Sequence, residues 1–250
     1  MLQLPSSAAK GLYALSALLV FSGPVVAGGL PDDFDIAFGA ALTSDYIYNG
    51  ISQTDGKAAV QGYVELDYSI VYAGVWASNV DFGKDDVEID ASIGIRPETD
   101  SAAFDLGYVH YFYVNETSPD YGAIVGAAEY YATDSLTVGA NANFAPDYSQ
   151  MGDHSLWLEG TADVALPANF GVSGGLGYQF FADSLDLPDY WSWNAGVYWT
   201  WNDTVTVDLR YVGSDLSRGD CALLMSRSAC GNRFMATLSV DTAVSALVGN

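Results

Sequence analysis

Residues 58–69 carry the pattern that most restricts what this chain can become. Val60, Gly62, Val64, Leu66 and Tyr68 alternate with Gln61, Tyr63, Glu65, Asp67 and Ser69. Successive residues of a strand point to opposite faces, so one face is apolar and the other bears carboxylates. The pattern returns at 87–96, where Val87, Ile89, Ala91, Ile93 and Ile95 oppose Glu88, Asp90, Ser92, Gly94 and Arg96. Leu156, Leu158, Ala162, Val164 and Leu166 oppose Trp157, Glu159, Thr161 and Asp163, and Val205, Val207, Leu209 and Tyr211 oppose Thr204, Thr206, Asp208 and Arg210. An apolar sheet face is covered by a second sheet in a soluble sandwich, or by lipid in a membrane barrel.

The connections decide between the two. Alternation and turn residues predict twelve strands near 34–48, 58–69, 71–80, 87–97, 102–113, 121–133, 135–145, 155–167, 169–182, 190–201, 203–214 and 232–244. Short links at 69–70, 97–101, 133–134, 167–168 and 202–203 alternate with long polar ones at 49–57, 81–86, 114–120, 146–154, 183–189 and 215–231. An even-stranded barrel with both ends on one side predicts that segregation, and a Greek-key sandwich does not. The expected fold is all-β: a single antiparallel up-and-down transmembrane β-barrel of about twelve strands. Phe34, Tyr46, Tyr48, Tyr178, Phe180, Trp191, Trp193, Trp199 and Trp201 near strand ends are expected in interfacial girdles. Tyr72 and Trp76 have the opposite parity to Val71 and Val75, and His110 breaks its strand's polarity, which predicts a bulge before it.

Export fits this reading. Lys10 precedes the apolar run from Gly11 to Phe21, broken by Pro24, with Val25-Val26-Ala27 before a cut. That is a secretory signal over 1–27, leaving 28–250 as one barrel domain, expected in the outer membrane of a Gram-negative bacterium. About a dozen apolar residues are too few to span a bilayer as an anchor. A formal charge of −23 argues against nucleic acid or an anionic membrane surface as partner. Beyond the signal no apolar stretch approaches the length of a membrane helix.

The residues expected to face the lumen include Asp35, Glu65, Asp67, Glu88, Asp90, Asp105, Glu129, Glu159, Asp163 and Asp208, with Arg96 and Arg210. Rings of carboxylates lower the energy of cations in a pore. The expected activity is passive diffusion of small hydrophilic solutes, leaning toward cations, with no cofactor and no covalent step. The expected partners are outer-membrane lipids and small polar solutes or cations, and nothing in the sequence marks an oligomer interface. One alternative is a closed structural or ligand-binding barrel whose acids and arginines pair. Another is a lipid hydrolase around His154-Ser155, which lacks a Gly-x-Ser-x-Gly elbow. Cys221 and Cys230, in the longest loop, read as a disulfide in an exported protein. No metal site is expected: neither histidine lies near the cysteines, and Asp81/Asp85/Asp86 and Asp183/Asp186/Asp189 lack EF-hand spacing. Those loop acids read as solvated.

One stretch resembles a known family. Ser44-Asp45-Tyr46, Gly50, Ser52-Gln53-Thr54-Asp55, Gln61 and Trp76, within Thr43–Phe82, are similar to the TorF family of porin-like proteins. The likeness extends more weakly over the remaining strands and implies an outer-membrane, channel-like protein. Asn49 stands where that family usually has Arg, and Ala58 near where Pro is common. The chain also runs on from its last strand to Ala-Leu-Val-Gly-Asn250, whereas such barrels usually end on a terminal aromatic residue.

Overall fold

The computed structural model describes residues 33–114 and 118–248; the expected signal, 1–27, lies outside them. Twelve strands close into an antiparallel barrel. They are β1 (Phe34–Thr43), β4 (Ala59–Tyr68), β5 (Val71–Phe82), β6 (Asp85–Ile95), β7 (Ala102–Tyr113), β8 (Tyr121–Tyr131), β9 (Leu136–Ala145), β10 (Ser155–Ala165), β11 (Phe170–Phe181), β12 (Tyr190–Trp201), β13 (Val205–Ser214) and β14 (Arg233–Ala243). β1 pairs with both β4 and β14, so the ring has no free edge. Two further strands, β2 (Ile47–Tyr48) and β3 (Ile51–Ser52), form a separate small ribbon. Helices α1 (Arg218–Leu224) and α2 (Val244–Val248) complete the chain.

The alternation becomes two surfaces. Val60, Val64 and Leu66 on β4, Leu106 on β7, Leu176 on β11 and Leu209 on β13 point outward and are exposed. The opposite parity points into the lumen, where Glu65, Glu88, Asp90, Asp105, Glu159 and Arg210 are buried. β5 resolves its mixed pattern the same way: Tyr72 and Trp76 are buried inside, and Val71 and Val75 are exposed outside.

The chain ends share one rim, here the terminal rim, and its links are short. Asn202 and Asp203 turn with φ of 49° and 52°, a mirror-image turn whose twist matches that of the strands it joins. The opposite, loop rim differs from expectation in two places. The first strand stops at Thr43 rather than 48, because Thr43 Oγ1 donates to the Asp45 carbonyl and the chain turns inward. The link expected at 81–86 is only Gly83-Lys84: Phe82 still pairs with Asp85, beyond a register shift after Asn79, and Gly83 takes φ of 76°. Asp85 is not solvated; it is buried and accepts from the Ser118 amide at 2.7 Å. Nor does a bulge precede His110, whose strand pairs in unbroken register with β6 and β8. His110 lies on the outward parity between Tyr108 and Phe112, and its Nδ1 meets the Tyr108 hydroxyl.

Candidate functional site: a ribbon folded into the barrel

The β2–β3 ribbon does not project from the rim. It folds into the lumen. Asn49 and Gly50 form its turn with φ of 49° and 81°, the tight hairpin geometry that an Asn-Gly pair favours. Gly50 is required by space as well: a Cβ there would lie 2.7 Å from Ser192 Cβ and 2.9 Å from the Gly213 carbonyl. The tip therefore rests against β12 and β13. Tyr48 reaches the other way, its hydroxyl 3.3 Å from that of Tyr111 on β7, while Asn143 of β9 donates to it at 2.8 Å. Tyr46 packs edge-on against Trp76, ring centroids 5.4 Å apart, and donates to Glu88 on β6 at 3.4 Å. One short ribbon thus touches walls on several sides of the barrel. Tyr46 and Tyr48, expected in an interfacial girdle, line this plug instead, because β1 ends before them.

Asp45 holds the ribbon in place. Its Oδ1 accepts from Ser52 Oγ at 2.6 Å and Thr54 Oγ1 at 2.8 Å, and its Oδ2 takes Arg233 Nη1 at 2.7 Å. Asp45, Ser52 and Thr54 are buried and Arg233 partly so, where a carboxylate is tolerated only with such partners. The loop from 215 to 232 clasps the same element. Its disulfide, Cys221–Cys230, has Cα atoms 5.9 Å apart, and Cys221 begins the second half of α1, whose first turn is capped by Ser217. Ile51 bridges to Cys230, and the Ser52 amide donates to Ala229 O at 2.9 Å. Arg233 Nη2 binds the carbonyls of Ser228 and Ala229, and Asp55 accepts from Ser226 and Ser228. Those two hydroxyls, Ser226 first, hold the Asp55 carboxyl below its usual range.

The other motif positions serve the same region. Ser44 Oγ accepts from the Ala236 amide at the barrel seam, Gln53 Nε2 donates to Ile51 O, and Gln61 Nε2 lies 3.4 Å from Ser78 Oγ. Expected loop acids also differ in fate. Asp81 pairs with Lys57, and Asp189 accepts from the Phe181 amide. Among the described residues, no group of three or more His, Cys, Asp or Glu side chains converges as a metal site.

Below the ribbon the twelve expected lumen residues divide between walls. On one wall Arg96 donates to Glu65 at 2.8 Å and Asp105 at 3.1 Å, lies 3.7 Å from Asp67, and sits 4.0 Å above the Tyr72 ring. On the opposite wall Arg210 donates to Asp208, Asn194 and Ser173. Glu159 accepts from Asn141 and Asn194, and Asp163 accepts from Tyr198. Glu129 borders the same space as Glu159 and Asp163. Asp35, near the terminal rim, accepts from the amide and hydroxyl of Ser245 in α2. Glu88 and Asp90 lie beneath Tyr46 among the tyrosines of the loop-rim half. His154 Nδ1 faces its neighbour Asp153 at 2.7 Å, while Ser155 turns into the lumen, so the two do not assemble a nucleophile–base pair.

Comparison with known proteins follows from this geometry. A family model described as a bacterial protein of unknown function, Gcw_chp, matches residues 29–241. The chain belongs to the Gcw_chp family. Among curated proteins none matches it. Among solved structures, this Gcw_chp barrel is similar to the KdgM porin, with a TM-score of 0.55 at 8% identity over 82% of this chain and 98% of that one. It is also similar to the NanC porin, with a TM-score of 0.52 at 10% identity over 83% of this chain and 98% of that one. At such identities the likeness is one of fold: a closed twelve-stranded antiparallel barrel. The element that periodicity missed in this Gcw_chp chain is the inward ribbon, and Asn49-Gly50 between Tyr48 and Ile51 was its signal.

Proposed function

We propose that this protein is an outer-membrane, porin-like channel for passive diffusion of small hydrophilic solutes, constricted near the loop rim by its own first loop and favouring cations. The observation that carries the reading is the division of surfaces: an apolar exterior, interrupted at His110, around a lumen lined by carboxylates, amides and hydroxyls. Water would not leave so much apolar strand surface bare, whereas lipid covers it. Among the described residues no helix is long and apolar enough to cross a membrane; a barrel crosses with its strands. The porin folds of the similar structures and the TorF likeness of the ribbon's residues support the same reading. Export through a signal at 1–27 would deliver the chain to that membrane.

A second reading has its own support. Tyr46, Tyr111, Trp76 and Tyr190 are buried around the ribbon, which suits a closed barrel that binds or scaffolds rather than conducts. Single-channel recording in planar bilayers separates the two. Discrete conductance steps, with a reversal potential of cationic sign in a KCl gradient, are expected from the channel. Silence from folded protein overturns it.

A further inference from the structure

We infer that a small monovalent cation, shedding most of its water shell, crosses this barrel along the β10–β13 wall, and that Glu159 selects it; the inference rests on the channel reading above. Two empty spaces lie on that wall, and both touch Glu159 and Asn194. One reaches Asn49 and Gly50 at the ribbon's tip, and the other extends to Glu129 and Asp163. They adjoin at Glu159 and Asn194, below the constriction, and each has room for about a single water.

The acids along these spaces outnumber their base: Glu129, Glu159 and Asp163 border the lower one with Arg210 alone. Each carboxylate oxygen of Glu159 accepts one amide N–H at 3.0 Å, from Asn141 and from Asn194. No basic group lies within ion-pair distance of it among the described residues. Arg210, the base of this wall, is committed to Asp208, to Asn194 Oδ1 and to Ser173. Asn194 thus holds the guanidinium on one side and the carboxylate on the other, which fixes Glu159 without neutralising it. The opposite wall is arranged otherwise, since Arg96 draws Glu65, Asp67 and Asp105 together.

A separate observation points to an occupant. Asn49 and Trp157 are only 8% and 3% exposed, both border the upper space, and Asn49 Oδ1 and Trp157 Nε1 have no hydrogen-bond partner. Buried polar atoms without partners are costly, and an ion that keeps one or two waters satisfies both. Its water hydrogens meet the Asn49 oxygen and the Glu159 carboxylate, and a water oxygen accepts the indole N–H.

Reversal potentials of the purified full barrel in a KCl gradient test this, with heat-modifiable gel mobility as the check of folding. The unaltered protein is expected to prefer K⁺ over Cl⁻. Glu159→Gln is expected to lower that ratio by about fivefold, the weight of one unit charge about 4 Å from the path in water-like surroundings. Glu159→Asp keeps the charge and is expected to keep the preference, and Asp134→Asn, on an exposed turn, is expected to change nothing. A conducting Glu159→Gln barrel with an unchanged ratio overturns the inference and leaves the channel standing. Absence of steps from the unaltered protein overturns the channel reading, and the inference falls with it.

Discussion

The segments 44–58 and 146–154 leave the same rim, are similarly polar, and go to opposite places. The second stays at the rim: Asp147 accepts from the Gly152 amide, Tyr148 N donates to Asp153 O, and its outside partners, Asp120, Tyr121, Phe181 and Ser184, lie on the adjoining strand ends and loops. The first has its decisive partners far away, on β7, β9, β12 and β14. Polarity therefore does not decide whether a barrel loop stays outside. What decides is whether the segment's charged and backbone groups find fixed partners in the lumen, as Asp45 does, and whether the turn is tight enough to enter.

The contrast is sharpest at Asp45. Asp45→Ala leaves partly buried Arg233 without its carboxylate and the buried Ser52 and Thr54 hydroxyls without their acceptor, a loss of about 3 kcal/mol. The expected outcome is a ribbon released from the lumen, read as faster amide exchange at Ser52 and Gln53 and a larger single-channel conductance. Cys221→Ser with Cys230→Ser slackens the clasp by about 2–3 kcal/mol; the same exchange protection is expected to fall less, and conductance to become noisier without a new mean. Gly50→Ala imposes φ of 81° on a residue with a Cβ, at a cost of about 2 kcal/mol, and is expected to shift Trp157 fluorescence as the tip backs away. The smallest effect belongs to the outer segment. Hydrogen bonds from Ser184 and then His154 lower the Asp153 carboxyl from 3.8 to about 2. Its contribution is therefore complete above the unfolded value and lost as pH falls from about 4 through about 2. Asp153→Asn is expected to flatten local exchange over that window and leave conductance untouched. A conductance change there would erase the distinction between the two segments.

Most of the barrel was legible because an apolar exterior and a polar lumen impose period two on its strands, as β4, β6 and β10 display. The β5–β6 link was not: Asp81, Gly83 and Asp85 look like loop residues, yet Asp85 is buried by a long-range bond to Ser118. The twelve lumen residues were readable by parity, but not their grouping. That depends on register around the ring, as with Arg96 at the end of β6 reaching past β5 to Glu65 on β4. The ribbon was legible only as a motif. Its direction depended on Arg233, 188 residues from Asp45, which no local pattern reveals.

That separation bears on the order of assembly. Asp45 follows the first strand of the ring and Arg233 opens the last, beside the seam where β1 meets β14. Until the final strand arrives, the ribbon has no counter-ion to settle against. The last strand therefore brings the closing partner of β1 and the ribbon's anchor on one segment of chain.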